Sequence, residues 1–348
     1  MQWPWKRARS QDQLIVCWSG QALAFLEARQ GAGGLMVKRM GLVEQGADSP
    51  KAFVERLGAM GLAGQNALAM LGTEQSMLLQ IAAPAVPPDE LRSAARYQIR
   101  DLVDTHIDDL TLDVLHVGDG QDKSAGQLFV VAATNTVIRD TLQLASSMEW
   151  TLQVIDVQEM AQRNLQTAWA RAAGFAERAN AALVVVNDKQ ALLTISAGGE
   201  LYYTRRLDLP PGFMTMRWDG AMGMETAPLD AYTPVGEYMP DYGRATSGFG
   251  ADESTSSSAD RAQRVLVELQ RSLDLWERTW TSLPLSGVGV YAGSRSVELA
   301  DWLRQGLGQN VASMDPASLF TGVPELTEEH KLRCLPLLGM LLRDAAPS

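Results

Sequence analysis

Two stretches of the chain consist of short apolar runs separated by turn-forming residues. In residues 14–42 the breaks lie at 19–20 and in a glycine cluster at 31–34, and in residues 181–209 they are a polar segment at 187–190 and a Gly-Gly pair. Runs of β-branched and aliphatic residues bounded in this way are typical of strands joined by tight turns. Each stretch is therefore predicted to form a three-stranded β-meander.

The rest of the chain carries apolar residues at intervals of three and four, the spacing of an amphipathic helix, or in short continuous runs. Ser49 and Ser294 are expected to be helix N-caps. Helices are predicted over residues 50–60, 87–102, 136–147, 157–172, 261–281, 295–305 and 332–343, the last interrupted at Pro336. Strands are predicted at residues 68–71, 77–82, 110–116, 128–133, 152–155, 287–293 and 311–314, and the strand at 77–82 is expected to be buried.

Residues 210–258 differ in composition from the rest of the chain. Pro, Gly, Ser, Thr, Met and Asp dominate, the apolar periodicity disappears, and residues 254–258 are almost entirely serine. Such a segment has too little apolar surface to drive folding by itself. We predict a flexible insertion over residues 210–260.

Composition and charge narrow the classes of function. The chain has 348 residues, of which 46% are hydrophobic and 20% are charged, so it can bury a core large enough for two domains or two lobes. A formal net charge of -11 argues against nucleic acid as a partner. The two cysteines, Cys17 and Cys334, form no CxxC pair, and no apolar run is long enough to span a bilayer. A cytoplasmic protein with reduced thiols is the simplest interpretation.

The common catalytic signatures are absent from the sequence. It contains no GxSxG, no Walker A motif and no strand-linked GxGxxG, and its three histidines are scattered without metal-ligand spacing. Gly293-Ser294 joins a predicted strand to a helix start, which is an anion-binding geometry but also an ordinary corner of α/β proteins. Asp156 and Asp188 are the carboxylates best placed for an actin-type site, although Asp156 is also a natural cap for the following helix.

Two surface features each leave two interpretations open. The N-terminus places Trp3 and Trp5 beside Lys6 and Arg7, which favours either a weak membrane-interface anchor or a frayed tail. A stripe of arginines on the helix at 87–102 is either a solvated face or a docking face for an acidic or peptide partner. The arginines of this stripe are Arg92, Arg96 and Arg100.

Three stretches carry a family resemblance. They are residues 87–98 with 107–113, residues 128–161 with the junction Val154-Ile-Asp156-Val-Gln-Glu159, and residues 182–209. With them the chain resembles the PilM family of type IV pilus assembly proteins, in particular its MshI branch from MSHA-type systems, and is similar to the cytoplasmic domain of GspL. The resemblance implies an α/β, bilobal actin-like ATPase fold, an RNase H-like duplication with a βαβ insertion.

The resemblance also implies a domain division. It comprises a basic and aromatic tail at 1–12, a first actin-like subdomain at 13–82 with 320–345, an inserted βαβ subdomain at 83–155, a second actin-like subdomain at 156–209 and 261–319, and the flexible insertion at 210–260.

The implied function is that of a scaffold at the cytoplasmic face of the inner membrane. Its expected partners are the cytoplasmic tail of a PilN- or MshJ-like membrane protein, other proteins of the pilus assembly platform and, peripherally, the membrane surface. The tail is expected in a groove beside the insertion, and Arg96, Tyr97 and Arg100 are the candidate residues of the groove wall.

The nucleotide motifs of the family are altered in this chain. Cys17-Trp-Ser-Gly20 and Val186-Asn-Asp-Lys189 stand where ATP-binding members have aspartate-isoleucine-glycine turns. Mg-ATP needs a carboxylate on the metal side and backbone space for phosphates. We therefore predict no cofactor and a pseudo-ATPase with degenerate nucleotide-site residues, namely Gly20, Asp188, Gly293 and Ser294. The alternative is an ATPase in which Asp156 and Asp188 hold magnesium and Gly293-Ser294 contacts adenosine.

Overall fold

The computed structural model describes residues 12–31, 34–120, 126–174, 178–218 and 258–343. The strands are β1 (Asp12–Ser19), β2 (Ala22–Gly31), β3 (Gly34–Glu44), β4 (Asn66–Leu71), β5 (Met77–Ala82), β6 (Leu110–His116), β7 (Gln127–Thr134), β8 (Thr151–Val157), β9 (Ala179–Val185), β10 (Gln190–Ala197), β11 (Glu200–Asp208), β12 (Leu285–Tyr291) and β13 (Val311–Ser313). The α-helices are α1 (Pro50–Ala59), α2 (Leu91–Ile99), α3 (Asn135–Ser147), α4 (Gln158–Ala172), α5 (Ser258–Thr279), α6 (Ser296–Leu307), α7 (Glu328–Cys334) and α8 (Leu337–Leu341).

Two five-stranded sheets have the same strand order. The first sheet is ordered β3-β2-β1-β4-β8 and the second β11-β10-β9-β12-β13. In each, an antiparallel meander is followed by two parallel strands reached through helical crossovers. Both predicted meanders are confirmed. We refer to the first sheet with α1 and α3 as the first lobe, and to the second sheet with α5 and α6 as the second lobe.

A third sheet is inserted between β4 and α3 and has the order β5-β7-β6. Strands β5 and β6 both run antiparallel to β7, so they are parallel to each other, and the crossover between them contains α2. The insertion is thus a split βαβ unit. Because β5 joins this sheet and β8 pairs with β4 in the first lobe, the inserted sheet occupies residues 77–134 instead of the expected 83–155.

The burial of two segments differs from the prediction. Strand β5 was expected to be buried, but only Ile81 among its residues is buried, because the strand lies at the edge of a small sheet. Residues 210–218, expected to be flexible, are ordered, since Phe213 and Trp218 are buried beside Trp302 of α6. The remainder of the predicted insertion, at 219–257, and the tail at 1–11 lie outside the described residues.

Helix α4 lies between the lobes and buries polar side chains. The Gln162 amide donates to the carbonyl oxygens of Ala182 (3.1 Å) and Leu192 (3.0 Å), and Asn164 donates to the Gly339 carbonyl (2.9 Å). These bonds compensate the desolvation of the two side-chain NH2 groups, which would otherwise be costly to bury. Helix α4 is therefore fixed to the second sheet and to α8 at once. Among the described residues, no helix is long and apolar enough to cross a membrane.

Candidate functional site

The first turn, residues 19–21, connects β1 and β2. Gly20 and Gln21 both have positive φ (56° and 62°), as a two-residue type I′ hairpin requires. The buried Ser19 hydroxyl donates to the Glu74 carboxylate, and the Ser19 carbonyl accepts a hydrogen bond from Arg333 Nη2 at 2.6 Å. Polar groups of this turn are thus already bonded to the chain itself.

The second turn, residues 187–190, connects β9 and β10. The backbone amides of Val186 and Asn187 donate to the Gln190 carbonyl at 2.9 and 3.2 Å, and the Lys189 amide donates to Asn187 Oδ1 at 2.9 Å. Asp188 is exposed. These three amides are used inside the turn, so they do not form the open cradle of N–H groups that holds a phosphate.

The third turn, residues 292–294, connects β12 to α6. The Ser294 amide donates to Glu328 Oε2 at 2.7 Å, and a Cβ placed on Gly293 would lie 2.5 Å from the same oxygen. The Glu328 carboxylate therefore packs directly against the glycine. Hydrogen bonds from Lys331 and from the Ser294 amide lower the pKa of Glu328, so this group is an anion at neutral pH.

Two predicted helix caps are wrong. Helix α6 begins at Ser296 with Arg295 at the N-cap position and has no side-chain cap, and the Ser296 hydroxyl accepts from the Ala292 amide, which precedes the helix, at 2.8 Å. Helix α4 has Val157 at its N-cap position without a side-chain cap. The Asp156 carboxylate accepts from the Val157 amide at 2.8 Å and forms an ion pair with Arg343 at 3.3 Å.

The turns border two neighbouring clefts. The first has a volume of about 340 Å³ and is lined by Gly20, Glu74, Asn187 and Arg333, among others. The second has a volume of about 330 Å³, and its lining includes Gly293 and Lys331. The structure thus brings Gly20 and the second turn together at the first cleft. Gly293 and Ser294 belong to the third turn, at the second cleft, and residues of α7 line both clefts. Asp188 lines neither cleft.

Two buried groups at the clefts are protonated at neutral pH. Burial raises the pKa of the Cys17 thiol to about 12, and the Glu74 carboxylate acts in the same direction. Burial, with the carboxylates of Glu328 and Asp315, also raises the pKa of Tyr291. A thiol and a phenol in these states are poor nucleophiles and poor metal ligands.

Several groups of the predicted nucleotide site are bonded to the chain itself. The amides of the second turn are bonded internally, Glu328 occupies the surface of Gly293, and Asp156 is paired with Arg343. Within the described part of the chain, no group of three His, Cys, Asp or Glu side chains converges as a metal site would require.

The candidate partner-binding residues lie on α2 and at its C-cap position. Tyr97 is 75% exposed, and the Arg100 guanidinium lies over its ring, 5.3 Å from the centroid. Arg96 is half-buried and donates to the carbonyls of Ile107 (2.6 Å) and Leu110 (3.1 Å). The structure thus brings Tyr97 and Arg100 together at the surface and directs Arg96 into the chain. Trp3, Trp5, Lys6 and Arg7 lie outside the described residues.

Sequence reasoning missed the groups that contact the turns from elsewhere, namely Glu74, Glu328 and Arg333. Arg333 is 314 positions away from Ser19, and α7 has only seven residues. A charged helix of that length shows no periodicity, and a contact between distant charged residues leaves no local pattern. The local signs that a helix begins there are Thr327, whose hydroxyl accepts from the His330 amide, and the two glutamates that follow it.

Comparison with known proteins shows the fold. No protein-family model matches the chain, and no curated protein matches it. Among solved structures it is similar to a PilM-PilN type IV pilus biogenesis complex, with 18% identity over 95% of this chain and 97% of that chain and a TM-score of 0.61. The chain has the actin-like ATPase fold, as predicted, and it is PilM-like in structure along nearly its whole length.

Two further solved structures are similar at lower scores. One is the cytoplasmic domain of EpsL, an inner-membrane component of the type II secretion system of Vibrio cholerae, with 13% identity, 74% and 95% of the two chains covered and a TM-score of 0.41. The other is a Bacteroides thetaiotaomicron protein with an actin-like ATPase fold, with 8% identity, 88% and 92% covered and a TM-score of 0.47.

Proposed function

We propose that this chain is a non-catalytic scaffold of a type IV pilus assembly platform and that it binds the cytoplasmic tail of a PilN-like membrane protein. The observation that carries the proposal is the likeness to the PilM-PilN complex, which covers both chains almost completely. A likeness of this extent covers the two lobes and the insertion.

The finer assignment is to the MshI branch of MSHA-type systems, with an MshJ-like protein as the source of the tail and other platform proteins as neighbours. It rests on the sequence resemblance of residues 87–113, 128–161 and 182–209. The same assignment places the chain at the cytoplasmic face of the inner membrane.

The proposed contact surface for the tail is the exposed side of α2. Tyr97 and Arg100 offer an aromatic ring under a guanidinium, and Leu102 beyond the helix is 62% exposed. Tyrosine and arginine are the residue types that most often dominate binding energy at interfaces. Arg96 holds the segment that follows the helix through its two bonds to backbone carbonyls. It therefore acts as a positioning residue for this surface.

The chain is proposed to work without ATP as a pseudo-ATPase. Support comes from the internally bonded second turn and from the carboxylate of Glu328 against Gly293. Thermal unfolding with and without Mg-ATP tests this part, and we expect the same midpoint in both. A clear rise in the midpoint that Gly293→Arg abolishes would establish the alternative, an ATP-binding enzyme of the pilus machine.

Isothermal titration with a synthetic PilN-like tail tests the scaffold function. We expect saturable binding, weakened about tenfold or more by Tyr97→Ala combined with Arg100→Glu, because an aromatic anchor and a cation are lost together. Arg278→Glu, an exposed position of α5 in the second lobe, makes the same charge change and is expected to bind normally. Absence of binding to the unaltered chain at high micromolar peptide would contradict the proposal.

The basic and aromatic tail is proposed as a weak second contact with the membrane surface. Two indoles next to cations favour the headgroup region of anionic bilayers. Deletion of residues 1–10 is expected to reduce flotation with anionic liposomes while peptide binding is unchanged. Equal flotation of the full and shortened chains would rule out this role.

A further inference from the structure

We propose that α7 is a clasp, a single helix whose two charged ends bind the first turn and the third turn and thereby hold the lobes together at the clefts without nucleotide. The inference rests on the part of the proposed function that excludes ATP and goes beyond it, because it assigns the place of the nucleotide to a segment of the chain itself.

Helix α7 contacts both lobes. Glu328, its first residue, accepts the Ser294 amide of the second lobe at 2.7 Å, and Arg333 near its end donates to the Ser19 carbonyl of the first lobe at 2.6 Å. Five residues of α-helix advance about 7.5 Å, so both contacts can be made from one rigid segment. No other described side chain bonds to these two backbone groups.

The rest of α7 packs against the first sheet and the core between the lobes. The helix packs on β2 and β3, and Cys334 and Leu335 are buried in a core that also contains Ala182 and Val184 of β9. This core spans both sheets, so the end of α7 is anchored where the lobes meet. The two charged residues then extend outward to a turn on either side.

The charges of α7 are placed where they stabilise it. Glu328 lies in the first turn of the helix and Arg333 in the last, which is the favourable arrangement relative to the helix dipole. Lys331 Nζ donates to Glu328 Oε1 at 2.8 Å, which leaves Oε2 directed at Ser294. Both anchoring bonds involve one charged partner, and such bonds are stronger than neutral ones.

A helix of seven residues is only marginally stable without tertiary contacts. Loss of the contact at one end of α7 is therefore expected to loosen the other end. This reciprocity separates a clasp from two independent surface contacts, which would each respond only to their own substitution. A nucleotide that contacted Gly293 would have to displace the Glu328 carboxylate first.

Hydrogen exchange with mass spectrometry, without peptide or nucleotide, tests the reciprocity. Arg333→Ala is expected to accelerate exchange about threefold to tenfold in residues 292–298, at the opposite end of α7 from the substitution. Glu328→Ala is expected to do the same in residues 18–24. Glu329→Ala, an exposed neighbour on α7, is the control and should change neither segment.

The outcomes are distinct. Acceleration confined to the end that carries each substitution overturns the clasp, and so does protection of both segments of the unaltered chain by Mg-ATP. Arg333→Gln removes the cation but keeps a long polar side chain, and it replaces the alanine variant if that variant loses its native circular dichroism, with the same expected acceleration in residues 292–298. A chain that fails to bind the tail peptide but shows reciprocal exchange would refute the proposed partner and leave the clasp standing.

Discussion

Arg206 lies where three parts of the molecule meet. One Nη2 atom donates to Glu159 Oε1 of α4 at 2.7 Å and to the Ser76 carbonyl, just before β5, at 2.8 Å. Glu159 is only 1% exposed, so its carboxylate depends on this partner. A single side chain of β11 therefore joins the second lobe to α4 and to the start of the insertion.

Arg206→Ala is expected to lower the free energy of unfolding by about 3–5 kcal/mol, because it leaves a buried carboxylate without its partner. Urea denaturation measures this value. Arg205→Ala is the control, since both members of the Arg205–Glu268 pair are more than a third exposed and such pairs contribute about 1 kcal/mol or less. The Ser272 hydroxyl, which Arg205 also contacts at 2.9 Å, keeps its bond to the Glu268 carbonyl in this variant. A loss for Arg206→Ala no larger than for Arg205→Ala would contradict the assignment.

Glu27 of β2 makes stability depend on pH. Burial alone would raise its pKa, but hydrogen bonds from Arg39 (2.6 Å) and Gln65 (2.7 Å) outweigh burial and hold the pKa below 4.5. A carboxyl whose pKa is lowered on folding stabilises the protein above its unfolded pKa, and that stabilisation is lost as the pH falls through the folded value.

Glu27→Gln is accordingly expected to cost about 1.5–3 kcal/mol at pH 7 and progressively less as the pH falls below 4.5. Urea titrations of both chains at a series of pH values measure the difference. A difference that stays constant from neutral to strongly acidic pH would show that the Glu27 charge is not involved.

Residue roles were partly predictable from the sequence. Ser49 caps α1 as expected, since its hydroxyl accepts from the Ala52 amide, and this signal lies within four residues. Ser294 and Asp156 satisfied the same local rule, but tertiary partners, Glu328 and Arg343, engage them instead. Roles that depend on such distant partners cannot be read from neighbouring residues.

At the scale of single elements, α8 and α4 approach each other more closely than side chains normally allow. A Cβ on Gly339 would overlap the carbonyl oxygen of Ala161, and the Gly339 carbonyl accepts from Asn164 at 2.9 Å. The glycine is required because backbone meets backbone there. The sequence shows only that an apolar helix contains a glycine. The close approach that requires the glycine involves α4, which lies far away in the sequence.

Gly339→Ala is expected to cost about 1–3 kcal/mol, since the helices must separate to accept one methyl group. Gly58→Ala in α1 is the matched control, because a Cβ there meets nothing within 4 Å and alanine favours a helix by up to about 1 kcal/mol. Thermal unfolding should show opposite shifts in midpoint for the two variants. An unchanged midpoint for Gly339→Ala would contradict the close packing.

Most element boundaries were predictable because they depend on local patterns. Both meanders and α5 follow the apolar periodicity, and Pro336 ends one helix and begins the next. The prediction that β5 is buried was wrong, because an apolar run does not reveal whether a strand is central or at an edge. The prediction that residues 210–218 are flexible was wrong, because Phe213 and Trp218 pack on a helix that comes later in the chain.

At the scale of the whole molecule, the chain contains two copies of one sheet topology. The two meanders predicted from the sequence already indicated this repetition. What the repetition could not show is how the lobes are joined. The buried amides of α4, the Arg206 junction and the contacts of α7 all connect residues far apart in sequence. Together, these side-chain contacts join the two lobes to each other.

This two-lobed chain is proposed to bind a membrane protein's tail without nucleotide. The most direct test is calorimetric titration of the chain with a PilN-like tail peptide, carried out in parallel with and without saturating Mg-ATP. We expect binding with the same Kd in both conditions. Binding that appears only with Mg-ATP, or no binding in either condition, would contradict it.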